Sequence, residues 1–157
     1  MTERAPWLGI DTLGPLTPVD SGRADAPETQ DVHDLTAEGR VALEQARKSR
    51  HGKGTRVLWA SRHQRAVLIA MTAGTALAEH TSPPAASFQL IEGTARLYSA
   101  EPTPEGTLPD WVVDAGQIVR IPDERHGVEA LTDCVILLTV SLDPSQTAPD
   151  PTTPDHS

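Results

Sequence analysis

From Gly54 onward the chain alternates short apolar runs with turn chemistry. The runs Arg56 to Ala60, Ala66 to Met71, Ser87 to Ile91, Ala95 to Ser99, Trp111 to Val113, Gln117 to Ile121, Gly127 to Ala130 and Cys134 to Ser141 are rich in branched residues. Breaks such as Glu92-Gly93 and Asp114-Ala115-Gly116 separate them. Roughly eight strands without helical alternation predict an all-β sandwich or barrel rather than a parallel sheet. Ahead of them, Leu35, Ala42, Leu43 and Ala46 recur at helical spacing, after a capping Asp34 or Thr36 and before the basic end Lys48 and Arg50. This predicts one helix over 34–50. It has few large apolar residues, so it must lie against the barrel to be stable.

The two ends read differently. Residues 1–33 mix Pro6, Pro15, Pro18 and Pro27 with Gly, Asp, Thr and Ser, and 143–157 repeat that character with four prolines. Neither sustains a helical or strand period, so the expectation is a disordered acidic N-terminal segment (1–33), one domain (34–142, with its barrel over 55–141) and a disordered tail (143–157). The longest internal loop is Glu101 to Asp110, with three prolines and a glycine.

Charge supports this division. Of the formal net charge of −9, residues 1–34 carry −5, residues 35–142 only −1 and residues 143–157 the remaining −3. The acidity thus serves solubility more than recognition. Eight basic residues between Arg40 and Arg65 face Glu44 alone; a solvated helix face and loop accounts for them, and no base-reading motif accompanies them. With 3% aromatic residues, nucleic-acid binding by stacking is not expected. The single Cys134 excludes an internal disulfide and the common cysteine zinc sites. The first residues lack a basic region followed by an apolar stretch, and no run approaches the roughly 18 apolar residues of a membrane span. A cytoplasmic protein without membrane contact is the expectation.

The candidate chemistry lies in two stretches of similar construction. Gly74 is followed by His80, Ser82, Ala86 and Gly93, and Gly116 by Pro122 and His126. Each reads as a glycine turn feeding a strand that carries one histidine. This spacing resembles the two signature motifs of the cupin superfamily over about residues 55 to 141, and a small single-domain bacterial cupin is the type it resembles. The resemblance implies a double-stranded β-helix, or jelly-roll barrel, with His80 and His126 at metal-ligand positions. Ser82 stands where the second histidine of the motif would be, and Ala86 where the glutamate would be. The ligand set is therefore incomplete. A tightly held ion generally takes three or four protein ligands, so a divalent metal (Zn, Fe, Mn or Ni) would need a further donor from His63, Gln89 or Cys134.

Alternation along the motif strands puts Ser82, Ala86, Phe88 and Leu90 on the face of His80, and Val128 on the face of His126 with Glu129 opposite. These seven inward residues are the expected ligand pocket, apolar with a few polar contacts. The leading functional reading is a small-molecule-binding protein with a degenerate metal site. A second is a cupin enzyme (dioxygenase, isomerase or lyase), metal-dependent or using His80 and His126 in proton transfer. A third is a non-enzymatic interaction or sensor protein. The resemblance also implies a homodimer.

Overall fold

The computed structural model describes residues 32–81 and 85–142. The expected terminal segments therefore fall almost wholly outside the described residues, as does Ser82.

Helix α1 (Leu35–Lys48) begins where Asp34 caps it, its carboxylate accepting from the amides of Thr36 at 3.0 Å and Ala37 at 3.1 Å. Arg47 and Lys48 occupy the last turn, where positive charge suits the exposed carbonyls. Its buried stripe is Gly39, Ala42, Leu43 and Ala46, three or four residues apart and mostly small. Small residues let the helix sit close: a Cβ on Gly54 would come within 2.3 Å of the Ala42 carbonyl oxygen, and one on Gly39 within 3.0 Å of Val135.

Among the described residues nine strands follow: β1 (Lys53–Ala60), β2 (Gln64–Met71), β3 (Ala76–His80), β4 (Ala85–Glu92), β5 (Thr94–Ser99), β6 (Asp110–Asp114), β7 (Ile118–Arg120), β8 (His126–Ala130) and β9 (Cys134–Ser141). They form a five-stranded sheet in the order β1-β2-β9-β4-β7 and a four-stranded sheet in the order β3-β8-β5-β6. The strand pairs among the described residues are antiparallel, giving the expected jelly-roll architecture. The strand Ala76–His80 is absent from the apolar runs read along the sequence, and β1 starts at Lys53, three residues before its run.

Alternation on β2 organises the packing. Val67, Ile69 and Met71 point between the sheets with Phe88, Leu90, Leu97, Ile136, Leu138 and Val140. Ala66, Leu68 and Ala70 point to the other face, where α1 covers them together with Leu58 and Val135. The strand is thus buried on both sides.

The two ends of the barrel differ. At one end the strands are joined by the short turns 72–75, Gly93, 115–117 and 131–133. Backbone bonds tie these turns together: Gly74 N–H to Ala130 O at 2.8 Å, Gly116 N–H to Leu90 O at 2.8 Å and Leu131 N–H to Thr94 O at 3.0 Å. The Ala73 amide donates to the Asp133 carboxylate at 2.9 Å. Gly93 adopts φ of 79°, and a Cβ there would lie 2.1 Å from the Asp133 carbonyl oxygen, so only glycine fits. This is the closed end. Segments 61–63, 100–109 and 121–125 join the strands at the opposite, open end.

Candidate functional site

The two histidines arrive at the open end because β3 finishes and β8 begins there. His80 and His126 are register partners across the β3–β8 pair. Their rings meet edge to face, centroids 4.6 Å apart at 68°. His126 is 1% exposed and His80 half-buried. The expectation that two imidazoles from distant motifs converge is met.

Backbone acceptors orient both rings. Nδ1 of His126 lies 2.9 Å from the Glu124 carbonyl oxygen, and Nδ1 of His80 bonds the carbonyl of Ala78. A carbonyl can only accept, so each Nδ1 carries the hydrogen and each neutral ring presents Nε2 as an acceptor. Burial lowers the pKa of His126 below the ordinary histidine range, against a smaller opposing effect of the Glu124 carbonyl. Burial is also the main cause that brings His80 down to about 4, with the facing His126 and nearby Arg125 adding repulsion. Near neutral pH the pair is therefore two uncharged hydrogen-bonding groups.

Ser99, fully buried, is the β5 register partner of His126. Its hydroxyl donates to the Glu101 carbonyl at 3.1 Å and accepts from the Glu101 amide at 3.1 Å. This fixes the start of the loop 100–109 beside the histidines. Of the other expected pocket residues, Ala86, Phe88 and Val128 belong to the core between the sheets. Leu90 also belongs to it but sits toward the closed end, where its carbonyl accepts from Gly116.

Among the described residues no group of three His, Cys, Asp or Glu could hold a metal ion. The three extra donors considered from sequence all lie elsewhere. His63 is exposed in the β1–β2 turn. Gln89 alternates with the core residues Phe88 and Leu90 and so faces away from the barrel interior. Cys134 pairs with Met71 at the closed end, and burial pushes its thiol up to about 12. Among the described residues, two imidazoles without a carboxylate do not fit the coordination of a firmly held divalent ion.

Two of the basic residues between Arg40 and Arg65 are held in ion pairs. Arg47 pairs with Asp133 at 3.0 Å and Arg56 with Glu38 at 2.9 Å. Arg96, outward on β5, pairs with Asp110 at 2.8 Å and Glu129 at 3.2 Å, while Arg125 pairs with Glu79 at 3.4 Å. Arg65 is different, and the sequence reading passed over it. It precedes Val67 by two on β2, faces Val140 of β9, and so points between the sheets at the open end. The signal was available as an arginine in phase with Val67, Ile69 and Met71, but the unbroken apolar run Ala66 to Met71 conceals which phase faces inward.

The sequence matches no family model and no curated protein. Solved structures do resemble the fold. A conserved protein of unknown function from Streptococcus pyogenes aligns with a TM-score of 0.54 and 21% identity over 74% of this chain and 90% of the other. An RmlC-like cupin protein from Desulfovibrio desulfuricans gives 0.54 and 20% identity, over 72% of this chain and 97% of that one. A cupin-2 domain-containing protein from Shewanella frigidimarina gives 0.53 and 16% identity, over 71% and 95%. At these identities the likeness establishes the fold, which is the cupin fold. No helix among the described residues is long and apolar enough to cross a membrane.

Proposed function

We propose that this cupin-fold protein binds a small organic molecule at the open end of its barrel, with His80 and His126 as neutral hydrogen-bonding contacts rather than metal ligands. The observation that carries this reading is the edge-to-face imidazole pair, each ring tied through Nδ1 to its own backbone. A ring held in this way offers Nε2 in a fixed direction and stays uncharged in apolar surroundings, as a ligand contact requires. The pocket wall on this reading comprises Ala86, Phe88 and Val128. The protein would act in the cytoplasm as a homodimer, which a mass measurement in solution tests.

The test has two arms. Protein purified without a chelating tag should contain well under one equivalent of any transition metal by elemental analysis. Its melting temperature should rise with one class of small molecule, because a ligand at a hundred times its Kd adds about 2.7 kcal/mol to stability. A full equivalent of tightly held metal, or no small-molecule response across a broad chemical library, refutes the reading. The fixed direction of Nε2 also favours a second reading, in which His126 accepts a proton from a substrate. That version predicts an activity lost in both His80→Ala and His126→Ala.

A further inference from the structure

We infer that Arg65 is an anion-binding residue of the open end, so that the molecule bound there carries a carboxylate. This rests on the reading of the open end as a small-molecule site and adds the chemical class of its occupant.

The position of Arg65 follows from register. Arg65 pairs with Val140, and Val140 with Ala86, so one row across three strands of the five-stranded sheet lies at the open end. Val140 and Ala86 both belong to the core between the sheets. The corresponding end of the facing sheet carries His80, His126 and Ser99 in one register row. The guanidinium and the imidazole pair therefore approach the same opening from opposite walls.

Its bonding state is unusual in this molecule. Among the described residues three arginines are half-buried: Arg56, Arg65 and Arg96. Arg56 is paired with Glu38, and Arg96 with Asp110 and Glu129. Arg65 makes no ion pair with any described carboxylate, and its Nε is sealed from solvent without a hydrogen-bond partner. A buried donor left unmet is costly, and more so when the group is charged. An arginine that merely lays its stem along the core and keeps its head in water would not enclose Nε. Packing alone would also be better served by an aliphatic residue in phase with Val67, Ile69 and Met71.

A carboxylate supplies what is missing. Nε and one terminal nitrogen form a planar fork that matches its two oxygens in a bidentate pair. The neutral imidazoles opposite add no competing charge, and the Nε2 atom of His126 suits a hydroxyl or amide N–H on the same molecule. Thus one wall reads the charge and the other the polar substituent.

The experiment uses benzoate and its uncharged counterpart benzamide as probes, followed in the wild type, Arg65→Gln and Arg65→Lys by NMR of the arginine Nε–H and histidine ring signals. Benzoate should shift the Arg65 Nε–H signal and bind about tenfold or more tighter than benzamide, the range of a charge-assisted hydrogen bond. R65Q should erase that preference, and R65K should recover only part of it, since lysine keeps the charge without the fork. Melting curves verify that both variants fold; if R65Q does not, R65K carries the comparison. Equal binding of the two probes, an unmoved Arg65 signal at saturating benzoate, or a preference that survives R65Q overturns the inference. Benzamide moving the histidine signals in any of those cases leaves the small-molecule reading standing. If neither probe moves any open-end signal, the Arg65 inference fails, and the library screen decides the broader one.

Discussion

Acidification should destabilise this protein well above the range where its carboxylates titrate, and the imidazole pair sets the size of the effect. A histidine whose pKa is lower in the folded than in the unfolded chain takes up its proton first in the unfolded chain. Its contribution is therefore complete above the unfolded value of 6.5 and is lost as pH falls toward the folded value, which for His80 is about 4. That difference corresponds to roughly 3 kcal/mol if taken in full, and to about half of that once solvent screening of the half-exposed ring is allowed for. His126, also lowered, acts in the same direction. Urea unfolding at pH 7.0, 5.5 and 4.5 should therefore show a loss of about 1–2 kcal/mol across that window. His80→Asn keeps a donor for the Ala78 carbonyl but cannot charge, so its curve should be flatter than that of the wild type. Ring-proton NMR titration gives the independent reading, with His80 still neutral at pH 5.5 and His126 titrating below the ordinary histidine value. Two signals that titrate near 6.5, or equal pH slopes in wild type and H80N, would refute the claim that the rings are held uncharged by burial.

Further expectations concern stability and access. Gly93→Ala should cost about 2–4 kcal/mol in chemical denaturation, because positive φ and a 2.1 Å approach to the Asp133 carbonyl oxygen act together. Gly116→Ala, at φ of 90° but with nothing near its Cβ, should cost only about 1 kcal/mol, so a similar cost for both would contradict the closed-end geometry. His126→Ala removes a 1% exposed ring and should cost about 2–4 kcal/mol by urea midpoint. Cys134, buried and with its thiol pushed up to about 12, should resist alkylation in native buffer and react quickly in denaturant. Fast labelling of folded protein contradicts its burial.

Sequence and structure agree where local chemistry decides. Asp34 caps α1 as its residue type suggests, and Gly74, Gly93 and Gly116 all take positive φ at closed-end turns. The glycines set where each motif strand starts, and this is why the meeting of His80 and His126 was legible in advance. Ala76–His80 is legible as a strand only through its glycine-turn motif and not as an apolar run, because Ala-Leu-Ala-Glu-His is short and has no β-branched residue; its pairing with β8 holds it extended. The inward phase of β2 was hidden for a different reason. Alternation is visible only when one face meets water, and here α1 covers the second face. Arg65 is identified as an inward residue only once the helix is seen on the opposite side.

The contrast between the two rims has a consequence for how such a protein can change. The glycine turns that clasp one rim hold every strand in register, so insertions there would disturb the whole molecule. At the other rim, 100–109 and 121–125 cross between strands whose spacing is already set, and their length can vary without altering that spacing. Selectivity is therefore modular: the same scaffold can be fitted to a new guest by exchanging one stretch of chain, while cohesion is kept by another.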